Sequence, residues 1–527
     1  MAKAAIGLGY LKRAGVLVAF ILGASILARV ILVYNGGQYY FTDERRYDYS
    51  YKLYRALASG DHPTVVWILT NPTHSLSIWL GGIVVALQHV LAQLTPYGDW
   101  AQPQNFYRSL WLGALFASLF SSLNLYLLYR IALRVGARQP EAVWALLLFA
   151  GSNTAFYYSR HFLPYDCALS AALAAILFGF GKASIRSAVL CGSLAGTAYG
   201  LYNGYWYLVP IIWLIHLAWS RGRPQCRQNS LIAGCAAAFA VALPMAIGWS
   251  LGGQAYLESL HTFGASVKYG LFSEGWSLPW AYFWHSEGAV GCGNAIAIVA
   301  ALMLSHVRGT AIPKWVIMTI LILSGTYALL VTFSNGLHLF VVYARTVKPL
   351  VPLFCLLGGW SIHRLTGDQP LIRSFVAGGI ISLSVLHFWP HFTRVFPLDV
   401  ELAVLRNWGN PKRSLSVTGS LYTFSGWPVT RPDLALVNNC GLYPIRTYIG
   451  FPAGQTIFRV QNPLTYLPFQ YECHTPRERE VLRTRDVSIR LIKLTDPAAV
   501  PDDPPMSMLY QPEDRPTGYE RGSADLR

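Results

Sequence analysis

The sequence predicts an α-helical polytopic membrane protein with a small α/β soluble domain at its C-terminal end. Three observations predict it. Apolar runs of about twenty residues, the length that crosses a bilayer as a helix, recur through residues 1–390. Of the 527 residues, 54% are hydrophobic and 13% charged, against roughly a quarter charged in soluble domains; mean hydropathy is +0.37. After residue 390 the runs give way to short alternating segments between polar stretches. The net charge of +16 does not point to nucleic acid, because the basic residues sit in short loops between apolar runs, as in proteins whose partners are membrane lipids.

The expected spans are 14–34, 108–129, 141–158, 167–181, 187–203, 205–219, 229–250, 290–306, 315–332, 346–362 and 373–390. The first reads as an uncleaved anchor, since no signal-peptidase site follows it. Charge decides one further apolar stretch, 76–94. Lys3, Lys12 and Arg13 put the N-terminus inside and residues 35–75 outside. If 76–94 crossed, Arg130, Arg134 and Arg138 would face outward and every later basic loop would invert. Laid along the outer surface as an interfacial or re-entrant helix between Pro72 and Pro96, it leaves all those loops cytoplasmic. Eleven spans follow. The outer face then receives the first outer loop 35–107, then 159–166, 202–207, 251–289 and everything after 390. Acids, histidines and aromatics collect there, so chemistry is expected on that face.

Residues 391–494 are expected to form a separate extracytoplasmic domain. "SLSVTGS", "DLALVNN" and "VSIRLIKL" read as strands, and "TPREREVL" as a helix start with Thr475 as N-cap, Pro476 first and Glu478 completing a capping box. No GxGxxG occurs, so no nucleotide site is read into it. Residues 495–527, rich in Pro, Asp and Gly, are expected to be a disordered tail. Cys440 and Cys473 are the disulfide candidates if this domain faces an oxidising compartment. The other six cysteines read as small apolar residues. With no CxxC and no zinc-type spacing, no metal site is assigned.

The most charged stretch of the first hundred residues is "YYFTDERRYDYSYKLYRALASGD", 39–61. Thr42 can cap a helix that runs to about Ser59, with Gly60 as terminator and Pro63 beyond. Tyr47, Tyr51, Tyr54 and Ala58 share one face, which predicts an amphipathic helix lying at the interface. Asp43 and Glu44 have two readings. Acids in a first turn favour the helix dipole; a carboxylate at the membrane surface can also serve as a general base. Asp166, in "SRHFLPYDCALS" at the head of a span, likewise either caps a helix or joins Asp43 in a site.

These motifs together carry a resemblance. An Asp-Glu in the first outer loop precedes an amphipathic helix ending in Gly-Asp. A Pro-containing interfacial helix, "NPTHSLSIWLGG", follows, and after two spans comes a loop with Ser159, Arg160 and Asp166. The set resembles polyprenol-phosphate-sugar-dependent glycosyltransferases of the GT-C fold, nearest the bacterial lipid A aminoarabinose transferases and the protein O-mannosyltransferases. It covers residues 1–200 by motif and the spans to about 390 by architecture. "YARTVKPLVPLFCLLGGW" (343–360) is similar to a late Arg- and Pro-containing span of these enzymes. The final domain is covered by no motif. One departure matters: the aminoarabinose transferases have a Lys before the Pro of the interfacial helix, and here Asn71 stands there. A neutral amide does not neutralise a phosphate, so neither sugar nor acceptor carries over.

The resemblance implies an enzyme of the bacterial inner membrane, N-terminus cytoplasmic and C-terminal domain extracytoplasmic. A hexosyl or pentosyl group would pass from polyprenyl phosphate to an acceptor hydroxyl in one inverting displacement. The acceptor would be a glycolipid or a cell-envelope polysaccharide. Asp43 would be the base, Glu44 would orient the acceptor, and Asp166 would bind a sugar hydroxyl or orient a cation. The leaving phosphate needs cations. Arg345 and Lys348, three residues apart, are the first candidates, followed by Lys268, Arg160, Arg46 and His74. Tyr205, Trp206 and Trp276 either stack on a sugar or belong to the interfacial aromatic belt. Arg29, inside the first span, reads as a snorkelling residue. No cofactor is required by the sequence; a divalent cation shared by Asp43 and Asp166 stays open. The rivals are a protein O-glycosyltransferase and a transporter or flippase of lipid-linked sugars. The latter wants mid-span charge, paired broken helices and an inverted repeat.

Overall fold

A computed structural model of the chain describes residues 2–34, 45–71, 75–94, 106–181, 184–222, 225–268, 278–337, 339, 344–393, 397–416, 429–438, 451–461 and 488–498. The chain divides into two compact units, a helical one of residues 1–35, 46–91 and 111–392 and a second of 36–45, 92–110 and 393–527.

In the helical unit α1 (Ala2–Tyr34) precedes three helices of the first loop, α2 (Arg45–Ser59), α3 (His62–Leu69) and α4 (Ser75–Leu94). Gly60, at φ +71°, ends α2 as its position in the sequence predicts. Asp61 then caps α3 by accepting the Thr64 N–H at 3.2 Å, and hydrogen bonding to Thr64 holds its carboxyl below the usual range. On the protein-facing side of α2, Ser50, Leu53 and Ala56 are buried, while Tyr51 and Tyr54 are half-buried and Ala58 is exposed. Leu53 meets Ile68 of α3 and Ile78 of α4, because these short helices pack on one another.

The rest of the unit comprises α5 (Phe106–Val135), α6 (Gln139–Ala150), α7 (Asn153–Tyr157), α8 (Tyr165–Gly179), α9 (Ile185–Leu201), α10 (Leu208–Ser220), α11 (Cys226–Lys268), α12 (Leu278–Val307), α13 (Lys314–Val331), α14 (Ala344–Val347), α15 (Leu350–Thr366) and α16 (Pro370–Thr393). Every expected span carries a helix. Among the described residues, six segments are long and apolar enough to cross a membrane: Gly15–Val33, Leu112–Val135, Cys226–His261, Ser286–Val307, Lys314–Ser334 and Pro370–Trp389. The others are shorter; the span expected over 141–158 breaks at Gly151, where Ser152 caps the separate helix α7. Long apolar side chains such as Phe20, Phe239, Leu321, Leu371 and Phe375 are exposed on these helices. Such a surface suits hydrocarbon and not water, and the chain is a multi-pass membrane protein.

Helices α9 and α11 approach closely over small residues. A Cβ on Gly192 would run into the Ala233 carbonyl and lie 2.9 Å from the Ala237 nitrogen, and one on Gly196 would lie 2.6 Å from the Ala240 Cβ. Gly192 and Gly196 form a GxxxG, a spacing that puts two small residues on one helix face. Gly192→Ala is expected to destabilise the unit by about 1–3 kcal/mol, the range for overpacking against an unyielding neighbour, as a lowered unfolding temperature in detergent.

Among the described residues after Thr393 the chain forms a four-stranded sheet and the helix α17 (Pro397–Trp408). The strands are β1 (Pro411–Ser416), β2 (Arg431–Asn438), β3 (Gly454–Gln461) and β4 (Ser488–Leu494), in the order β1-β2-β4-β3. β1 and β2 are parallel and the other pairs antiparallel, with Leu436 opposite Leu491. Val400 and Val404 of α17 pack on Leu434, Leu436, Ile489 and Leu491, with Trp408 and Phe458 at the margin. Three strands overlap those expected; β3 and α17 were not anticipated. The helix start at 475–482, Cys440, Cys473 and the tail beyond 498 lie outside the described residues.

Candidate active site

Asp166 occupies the first turn of α8. Lys348 lies between α14 and α15, where Pro349 precedes the first residue of α15. The Lys348 Nζ donates to Asp166 Oδ1 at 2.7 Å, with both side chains at most 2% exposed. Asn124 of α5 donates to the same carboxylate oxygen and to the Asp166 carbonyl, each at 3.2 Å. Ser170 donates to Asn124 Oδ1 at 2.7 Å and so orients that amide. Asp166 Oδ2 is buried without a hydrogen-bond partner among the described residues. Asp166 therefore does not serve as a helix cap; its carboxylate points to a cation from another part of the chain.

Aromatic rings surround this pair. The Lys348 Nζ lies 4.6 Å from the centre of the Tyr158 ring, and the Arg345 guanidinium 5.8 Å from that of Tyr165. Tyr158, Tyr165, Tyr202 and Tyr205 follow one another edge to face, at centroid separations of 4.9–5.1 Å. The Tyr207 hydroxyl donates to the Thr346 carbonyl at 2.5 Å and ties α14 to this wall. Arg29 is also buried, with its Nε on Ser121 Oγ at 3.0 Å and its Nη2 on the Ala155 carbonyl at 3.2 Å. It does not snorkel. Among the described residues the interior thus collects the cations Arg29, Arg345 and Lys348 and the acids Asp166 and Glu287 in a poorly solvated place.

Among the residues singled out in the sequence, the structure brings together Asp166, Lys348 and Arg345. It changes how two of them stand. Arg345 and Lys348 do not share one continuous helix, because α14 ends at Val347. Lys348 is engaged by Asp166 and fully buried, and Arg345 lies beside Tyr165, the neighbour of Asp166. Tyr205 is fully buried against Tyr202, its faces taken up by protein, and Trp206 packs against Phe333 at 5.1 Å. Arg46, Arg160 and Lys268 lie in described helical turns, but their side chains are outside the described set. Asp43, Glu44, His74 and Trp276 lie outside the described residues altogether.

No family model and no curated protein matches the chain. Among solved structures it is similar to the crystal structure of ArnT from Cupriavidus metallidurans bound to undecaprenyl phosphate, at 12% identity over 77% of this chain and 74% of that chain, with a TM-score of 0.47. A likeness of that degree assigns no residue a role.

Asn124 is the member of the site that sequence reading missed. Its signal was an amide inside the apolar run "SSLNLYLL"; a polar side chain within a span usually has a partner inside the bundle.

Proposed function

We propose that this chain is an integral membrane glycosyltransferase that moves a sugar from polyprenyl phosphate to an acceptor hydroxyl at the outer face of the membrane, with inversion. The reading rests on one observation. Asp166 of the "SR…D" loop and Lys348 of the late Arg- and Pro-containing segment, 182 residues apart, meet in one buried place. They belong to two motifs that carry the family resemblance, and paired charges inside a membrane domain generally mark function. In this reading Asp43 takes the acceptor proton, Glu44 orients the acceptor, and Arg345 meets the carrier phosphate as it leaves. The Lys348–Asp166 pair holds the floor of the site. Glycolipid or cell-envelope polysaccharide is the acceptor class.

An apolar cavity of about 390 Å³ supports a lipid-linked donor. It lies beside this segment, lined by Ile298, Leu302, Ile320, Tyr327, Val347 and Phe354. Such a wall suits a hydrocarbon tail.

The transporter reading draws on two helix breaks, at Gly253 in α11 and Gly288 in α12, with φ of 52° and 53°. Gly288 falls at the start of its apolar segment and Gly253 in the last quarter of its own, neither at the middle, where a transported substrate would bind. Transfer is the better reading. The purified protein in lipid nanodiscs, given polyprenyl phosphate carrying a labelled sugar and an envelope glycolipid fraction, is expected to release polyprenyl phosphate in step with labelled product. Movement of the donor across the bilayer with no product would refute transfer.

A further inference from the structure

Two buried charges have no direct part in that chemistry, Arg29 of α1 and Glu287 of α12. They hold the same five-residue helix, α7, from opposite ends. The Glu287 carboxylate accepts the N–H groups of Asn153 at 2.8 Å and Thr154 at 3.0 Å. Ser152 supplies the rest: its Oγ accepts from the Ala155 N–H at 3.3 Å and its carbonyl from the Phe156 N–H at 3.2 Å. The last of these is the first turn's own bond; with the Ser152 N–H on the Phe149 carbonyl at 3.2 Å, every N–H from Ser152 to Ala155 that a helix start leaves open has a partner. On the carbonyl side, Arg29 Nη2 and Ser121 Oγ both donate to the Ala155 oxygen, at 3.2 and 2.6 Å. The Arg29 guanidinium lies 5.6 Å from the Phe156 ring centre, and Phe388 stacks on that ring at 4.1 Å.

An anion at the N–H end and a cation at a carbonyl are the signs that a helix dipole favours. Yet a buried carboxylate in a membrane-spanning unit is costly, and Ser152 already provides an ordinary cap. A helix this short has no cooperative stability of its own, so its position is the one its anchors impose. It leads straight into Tyr158, whose ring lies under the Lys348 Nζ and meets the edge of Tyr165 at 5.1 Å. Tyr165 is the neighbour of Asp166.

We infer that Arg29 and Glu287 are positioning residues, a charge clamp from α1 and α12 that fixes α7 and, through Tyr158, the Lys348–Asp166 pair. Turnover measurements rest on the proposed transfer reaction; the clamp itself is read without it. Hydrogen–deuterium exchange of the 153–158 amides in nanodiscs, without donor, is the first measurement. Arg29→Gln and Glu287→Gln are each expected to speed exchange there by about tenfold, as local opening does. The double variant is expected to match the singles, because either loss frees the same helix. Arg29→Lys, which keeps the charge, restores most of the protection.

In the transfer assay the two Gln variants are expected to lower kcat by about 10- to 100-fold through misplacement, with donor KM within about threefold. Unchanged exchange at 153–158 overturns the clamp. So does exchange rising throughout the helical unit, which would make these charges general stabilisers, or an unaltered kcat once the helix is freed. A wild-type protein that transfers nothing counts against the proposed reaction alone.

Discussion

Replacing Asp43 with Asn is expected to lower sugar transfer by about 10²- to 10⁴-fold, the contribution of a positioned general base. The substitution separates the two readings of that acid. Asn serves a helix start about as well as Asp, so an acid that only helps a helix begin predicts little change in rate or stability. An acid that takes the acceptor proton predicts loss of kcat with donor KM nearly unchanged, since the missing interaction belongs to the transition state. Initial rates with a labelled polyprenyl-phosphate sugar decide between them. A wild-type rate would sink the assignment of Asp43 as base.

The second large effect concerns Lys348. Lys348→Met keeps the aliphatic stem and strands the Asp166 carboxylate in a buried place, where breaking an ion pair costs about 3–5 kcal/mol. Thermal unfolding in detergent is expected to fall accordingly. Adding Asp166→Asn removes the stranded charge and is expected to return most of the lost stability, because a buried pair contributes little beyond its own compensation. A surface lysine reaching for phosphate would behave otherwise, lowering transfer and leaving unfolding unmoved. The pattern of the double variant therefore reads out whether Lys348 is an interior anchor or a ligand.

Much of the fold was legible because its signals are local. Apolar length predicted the helices. Gly60 marked the end of α2, since a left-handed residue is needed at that corner, whereas the start of α3 at Asp61 was not read from the sequence. The alternation in "SIRLIKL" predicted β4. β3 carries the same period, with Phe458 and Val460 packed on the core and Ile457 outward, but a bulge between Thr456 and Phe458 interrupts its pairing with β4. Arg29 was misread because a lone arginine in an apolar run usually snorkels. Its actual partners, Ser121 and Ala155, are about a hundred residues away along the chain, and nothing local announces them.

The sequence by itself determined that this chain lives in a membrane, which apolar segments form helices, and that Asp166, Arg345 and Lys348 are worth attention. Those follow from hydropathy, capping chemistry and the cost of charge in hydrocarbon. Only the tertiary structure decided that Lys348 spends its charge on Asp166, that Tyr205 is buried wall, and that Arg29 and Glu287 grip one short helix. Pairing depends on which helices lie side by side, and burial makes the choice of partner binding: a charge removed from water has to be answered by whatever group the packing puts beside it.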